Sequence, residues 1–132
     1  MEKVILDAFA ILALLEKDKG YEIVKDFLER SAKGKVKTYM NLINWGEVYY
    51  TLIKRGKTAD AEEFWEGRRD YPIVFVEPTT KRIREASRIK GNYPVSYADA
   101  FCIALAMELK GEILTGDEEF KTVYGLKLKW IR

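Results

Sequence analysis

The stretch Ser96-Tyr97-Ala98-Asp99-Ala100-Phe101-Cys102-Ile103-Ala104-Leu105-Ala106-Met107-Glu108-Leu109-Lys110-Gly111-Glu112-Ile113-Leu114-Thr115 decides the fold class. It opens on a helix-capping serine and stays apolar on most sides as far as Leu109, the pattern of a helix buried in the centre of a domain. Gly111 is expected to cap it. Glu112 to Thr115 then reads as a short buried strand, so a central helix leads almost directly into a strand.

The same alternation extends upstream. Val4 to Leu6 is a fully apolar strand, and Phe9 to Leu15 a helix with Ile11, Leu14 and Leu15 at i, i+3 and i+4 spacing, ended by Gly20. Tyr21, Val24 and Leu28 repeat with helical period until Gly34, and Val36 to Tyr39 is a weak alternating strand. Leu42 to Lys54 is a strongly apolar helix closed by Arg55-Gly56, and Ala59 to Arg69 is a more polar one carrying Phe64 and Trp65. Ile73 to Val76, between Pro72 and Pro78, is a strand, and Ile83, Ala86 and Ile89 mark a further helix. Downstream lie a helical turn, Glu118 to Thr122, and a last strand, Leu126 to Ile131. With no repeat or linker, residues 1–132 read as one α/β domain of three layers, its central parallel sheet joined by right-handed crossovers and covered by helices on both faces. Such sheets bind ligands outside the carboxyl ends of their strands, at a topological switch point.

Composition narrows the chemistry. Apolar residues make up 48% of the 132 and charged residues 33%, and charges interrupt every apolar run well short of the ~18 residues of a bilayer span. Met1-Glu2-Lys3-Val4 offers no cationic leader and no small-residue cleavage site, so a cytoplasmic location is expected. Cys102 is the single cysteine, read as a small buried hydrophobe, and there is no histidine. An internal disulfide and every mechanism that needs imidazole are thereby excluded, and the usual ligands of a structural zinc site are missing. Acid and base work must fall to carboxylates, Lys, Tyr or a metal-bound water. A net charge of +2 gives no global basic field. The absence of Gln and the restriction of Asn to positions 41, 44 and 92, beside abundant Lys, Glu and Arg, suggest a hyperthermophilic source.

Four acids stand out. Asp7 directly follows the first strand, and Asp117 follows the Ile113 to Thr115 strand after one glycine, so both emerge at strand carboxyl ends. Either alone is explained as an N-cap. Asp99 has a stronger bland explanation, since Ser96-Tyr97-Ala98-Asp99 has the spacing of a reciprocal capping box. Glu47 resists such treatment: it sits inside the apolar helix between Ile43 and Tyr50, and Lys54 and Arg55 are two turns away. A carboxylate in apolar surroundings is costly unless paired or bound to metal. If the four converge, they need a cation. All-oxygen ligation suits Mg²⁺ or Mn²⁺, and hydrolysis of phosphodiester bonds is the natural reaction class.

Taken in order, Leu6-Asp7, Asn44-Trp45-Gly46-Glu47-Val48, Ser96-Tyr97-Ala98-Asp99-Ala100 and Leu114-Thr115-Gly116-Asp117-Glu118-Glu119-Phe120 resemble the PIN-domain nucleases over nearly the whole chain. The compact length and the Thr-Gly-Asp-x-x-Phe ending look most like the VapC-type toxins of prokaryotic toxin–antitoxin pairs. The resemblance implies a five-stranded, mostly parallel sheet and a Mg²⁺ or Mn²⁺ site for RNA cleavage formed by Asp7, Glu47, Asp99 and Asp117, with Thr115 positioning a water or an acid. It also implies a homodimer and a small antitoxin wrapped in an apolar groove near the site. One departure is visible: the family usually carries Ser or Thr just after the first acid, where this chain has Ala8 and Phe9.

The other polar residues have plainer roles. Glu118 and Glu119 favour a helix N-terminus, with an outer metal contact the lesser role for Glu119. Lys54, Arg55, Lys57, Arg82, Arg84, Arg88 and Lys90 are candidate RNA contacts or solvated helix faces, with Lys81 to Glu85 an expected i,i+4 pair. Of Tyr49, Tyr50, Phe64 and Trp65, most are expected in the core, with Trp65 or Tyr50 the residue left for a partner. Receiver and dehalogenase-type chemistry lack their second acid near Asp7, and nucleotide-binding glycine signatures are missing. The competing functions are an RNA-processing PIN nuclease without an antitoxin and a non-catalytic RNA-binding scaffold, which clustered acids would weaken.

Overall fold

The computed structural model describes all 132 residues. The elements follow as β1 (Lys3–Leu6), α1 (Ala8–Glu16), α2 (Tyr21–Ala32), β2 (Lys37–Asn41), α3 (Leu42–Lys54), α4 (Thr58–Glu66), β3 (Val74–Val76), α5 (Thr80–Asn92), α6 (Tyr97–Leu109), β4 (Glu112–Thr115) and β5 (Leu128–Trp130). Two 3₁₀ turns, Gly67–Asp70 and Glu118–Thr122, continue α4 and follow β4.

All five strands are parallel, in the order β3-β2-β1-β4-β5. The chain moves outward from β1 to β2 and β3, then returns through α5 and α6 to lay β4 on the other side of β1. The switch point therefore falls between β1 and β4. Val4, Leu6, Met40 and Leu114 face a core with residues of α1 to α4, while Ile5 and Ile113 face residues of α5 and α6. Because both faces are covered, β1 and β4 read as continuous apolar runs rather than alternating ones. On the first face Trp45 is fully buried, stacked on Phe64 at 3.8 Å between centroids and edge-on to Tyr71 and Phe75. Tyr50 and Trp65 are left exposed.

Several expected boundaries shift. The helix expected over Ala59 to Arg69 gives way to the 3₁₀ turn after Glu66, and the last strand is only Leu128–Trp130. Lys17 and Lys110, not Gly20 and Gly111, take the left-handed positions that end α1 and α6. Gly111 is required for close approach instead: a Cβ there would come within 2.3 Å of Ile5 Cδ1 and 3.0 Å of the Lys3 carbonyl. The Lys81–Glu85 pair does not form; the neighbouring Arg82 reaches Glu108 on α6. No helix is long and apolar enough to cross a membrane.

Candidate functional site

Asp7 and Asp117 stand at the switch point because they are the first polar residues beyond β1 and β4. Asp7 does cap α1, its Oδ1 accepting from the Ala10 N–H at 2.9 Å. Its other oxygen accepts from the Thr115 hydroxyl at 2.5 Å. Thr115 is fully buried, and its Oγ1 also accepts the Asp117 N–H at 2.9 Å, so one hydroxyl ties both strand ends together. Asp117 in turn caps the following 3₁₀ turn through the Glu119 N–H.

At Asp99 the local explanation fails. Ser96 supplies its half of the capping box, Oγ accepting the Asp99 N–H at 3.1 Å. The returning half is missing, because the Ser96 N–H donates to Glu119 Oε1 at 2.7 Å. Glu119, brought in from beyond β4, thus replaces Asp99 as the cap and leaves the Asp99 carboxyl, only 5% exposed, with no capping bond. Glu47 reaches the same place from α3, its Oε1 buried without a hydrogen-bond partner. Asn44, one turn earlier on α3 and fully buried, donates to the Ala98 carbonyl at 2.9 Å and fastens α3 to the start of α6.

The electrostatics at Asp7, Asp99 and Glu47 are unfavourable. Burial pushes the Asp7 carboxyl up to about 7, with the negative charges of Asp117 and Glu47 adding to it and the bonds from Thr115 and Ala10 opposing it. Burial pushes Asp99 up to about 8, and Asp117, Glu47, Glu119 and Asp7 all push the same way. Glu47 is raised by burial first, despite its neighbour Asn44. No lysine or arginine pairs with any of these five acids. Carboxylate oxygens of Asp99, Asp117 and Glu119 lie within 4.8 Å of one another. Five convergent carboxylates without a counter-charge, one oxygen of Glu47 unpartnered, and only oxygen donors make a set that fits a hard divalent cation.

All four expected acids and Thr115 are thus brought into one crevice. Glu119 joins the tight trio, a place expected from sequence only as its lesser role beside the macrodipole. The signal that would have found it is its spacing from Asp117, which puts a second long carboxylate on the turn facing α6. Asn44 carried a weaker signal, a polar residue one turn before Glu47 in an otherwise apolar helix. A cleft of about 580 Å³ lies elsewhere, between α1, α3 and α4.

Comparison with known proteins agrees with this architecture. No curated relative matches the chain. Among solved structures it is similar to a DNA-bound VapBC complex from Salmonella typhimurium, with a TM-score of 0.73, 18% identity and 100% of both chains covered. It is also similar to VapC20 of Mycobacterium tuberculosis, a sarcin–ricin loop cleaving toxin, with a TM-score of 0.71, 15% identity, and 89% of this chain and 92% of that one covered. VapBC2 from Rickettsia felis gives a TM-score of 0.71 at 14% identity over 96% of this chain and 97% of that one. Likenesses at such identities show the fold. Residues 4–126 match the PIN domain itself, and the chain belongs to the PIN-domain family.

Proposed function

We propose that this protein is a Mg²⁺- or Mn²⁺-dependent endoribonuclease acting as the toxin of a toxin–antitoxin pair. The observation that carries the nuclease reading is the convergence of Asp7, Glu47, Asp99 and Asp117 from four separate segments with no basic partner. These four would hold the ion, with Glu119 adding a further oxygen. When bound, such an ion supplies positive charge to a phosphate and a water of lowered pKa. The chain's own contribution is position and proton inventory. Thr115 fixes the direction of Asp7, Glu119 releases Asp99 from capping, and Asn44 holds Glu47's helix against α6. Without an ion, the Asp99 carboxyl keeps a proton at neutral pH because its folded pKa lies near 8.

The decisive experiment is cleavage of a labelled single-stranded RNA in Mg²⁺ or Mn²⁺. Cleavage is expected with either ion, lost in EDTA, and not seen on DNA of the same sequence. Equal activity in EDTA would overturn the reading. A protein partner is supported by exposed Leu15, Tyr50, Ile53 and Trp65 on α1, α3 and α4, and by the antitoxin complexes among the structural neighbours. Exposed Ile83, Tyr97 and Met107 on α5 and α6 offer an apolar face for a second copy, in keeping with a homodimer. The product of a short adjacent reading frame is expected to stop cleavage at one equivalent, and sedimentation is expected to give twice the chain mass. A neighbour with no such effect would leave a processing nuclease instead.

A further inference from the structure

The acid crevice repels what a nuclease must hold, so substrate phosphates need cations close by. Several are engaged within the fold: Arg55 and Lys57 with Glu16, Arg82 with Glu108, and Arg30 with Asp26. Lys121 and Arg132 differ. They lie beyond the ends of β4 and β5, where they pair at 3.3 Å and 3.9 Å with Glu118, itself 65% exposed. Both also lie over aromatic rings. Lys121 Nζ sits 3.9 Å from the Trp130 ring centre, and the Arg132 guanidinium lies 5.7 Å from Trp130 and 5.5 Å from Phe9.

The sheet register ties this group to the acids. Trp130 is the β5 partner of Thr115, and the Ile131 N–H donates to the Thr115 carbonyl at 3.1 Å. Phe9 follows Asp7 by two residues, and its ring closes over Gly116, where a Cβ would come within 2.4 Å of Phe9 Cε1. Two aromatic rings and two solvent-facing cations therefore lie on the β5 side of the strand ends that lead to Asp7 and Asp117, with Phe9 in place of the small polar residue expected there.

Rings beside exposed cations are the recognition pattern for a single strand: bases stack on the rings while phosphates take the charges. An acidic peptide would use the cations and leave the rings idle. We propose that Trp130, flanked by Phe9, stacks a nucleobase adjoining the cleaved phosphate of single-stranded RNA, while Lys121 and Arg132 hold the phosphates on that side. This rests on the nuclease reading above. Exposed cation–π contacts and ion pairs are weak, so Lys121 exchanges the ring and Glu118 for a phosphate as the base arrives.

The test is fluorescence anisotropy of a labelled oligouridylate of about twelve nucleotides, in EDTA so that nothing is cut. Trp130→Leu is expected to weaken binding roughly 10- to 100-fold, with Trp130→Tyr restoring most of it. The double variant Lys121→Ala/Arg132→Ala alters only exposed side chains and should fold normally. Its expected signature is weaker binding with a salt slope reduced by about 1 to 2, and in Mg²⁺ or Mn²⁺ a raised KM at unchanged kcat. Unchanged RNA binding and KM in the double variant would overturn the proposal. So would lost binding of polyglutamate with RNA binding intact, the mark of a surface for acidic peptides. Failure of the nuclease reading has a separate signature: the unsubstituted chain cleaves no RNA in either ion, whatever these variants do to binding.

Discussion

Glu16 and Glu47 are the same side chain treated in opposite ways. Glu16, at the far end of α1 from the crevice, is paired with Arg55 and Lys57, and its carboxyl is held below the usual range by those two cations, against the opposing pull of burial. Glu47, two turns before Arg55 on α3, has a buried oxygen with no partner and is pushed upward by burial and by other acids. The fold does not lack cations; it pairs none of them with the acids of the crevice at the strand ends. Self-sufficient ion pairing at one end and a deficit of positive charge at the other is an arrangement that fits an outside cation.

The largest effect expected from breaking the contrast is on activity. Asp99→Asn should reduce metal-dependent RNA cleavage by roughly 100-fold or more, a loss typical of removing a key electrostatic group, while the metal-free protein melts higher. Cleavage within threefold of the parent would show that Asp99 only shapes the helix start. Next comes the pH dependence of metal-free stability. Asp7 and Asp99 have folded pKa values of about 7 and about 8 against 3.8 when unperturbed. The native state therefore binds the extra protons, and their stabilisation is complete below pH ~4 and lost as pH rises to ~8. Thermal melts in EDTA should fall by on the order of 10 °C across that window, and a flat or rising profile would contradict the raised carboxyls. Asp99→Asn should flatten the profile. Asp7→Asn should do so less, since an amide facing Thr115 donates where the carboxylate accepted.

Two smaller effects sharpen the comparison. Thr115→Val leaves the buried Asp7 oxygen and the Asp117 N–H without their shared hydroxyl, and cleavage should fall about tenfold, in line with the ~1–3 kcal/mol of an unsatisfied buried group. Activity at the parent level would mean that the acids hold their places unaided. At the other end, Glu16→Gln should cost less than ~1 kcal/mol in urea denaturation, as exposed pairs do, and leave cleavage untouched. A change in kcat there would join two ends that the structure keeps apart.

Most of the fold was legible because burial on both sheet faces writes itself as unbroken apolar runs, as in Val4 to Leu6 and Ile113 to Leu114. The four acids were legible for the complementary reason: a strand-end aspartate and a glutamate inside an apolar helix break local rules. What stayed hidden was carried by contacts distant in sequence. The pattern Ser96 to Asp99 predicts a reciprocal cap, and the structure gives half of it to Glu119, twenty-three residues later. No local window contains that exchange. The endings at Lys17 and Lys110 were missed because the nearby glycines serve close packing or the next helix start instead.

The hydrogen-bond chain from Asp7 through Thr115, Asp117 and Glu119 to Ser96 spans residues 7 to 119. A polypeptide emerging from the ribosome carries Asp7, Glu47 and Asp99 before Thr115 and Glu119 exist. An unfinished copy therefore has the charges but not the contacts that hold them in one crevice.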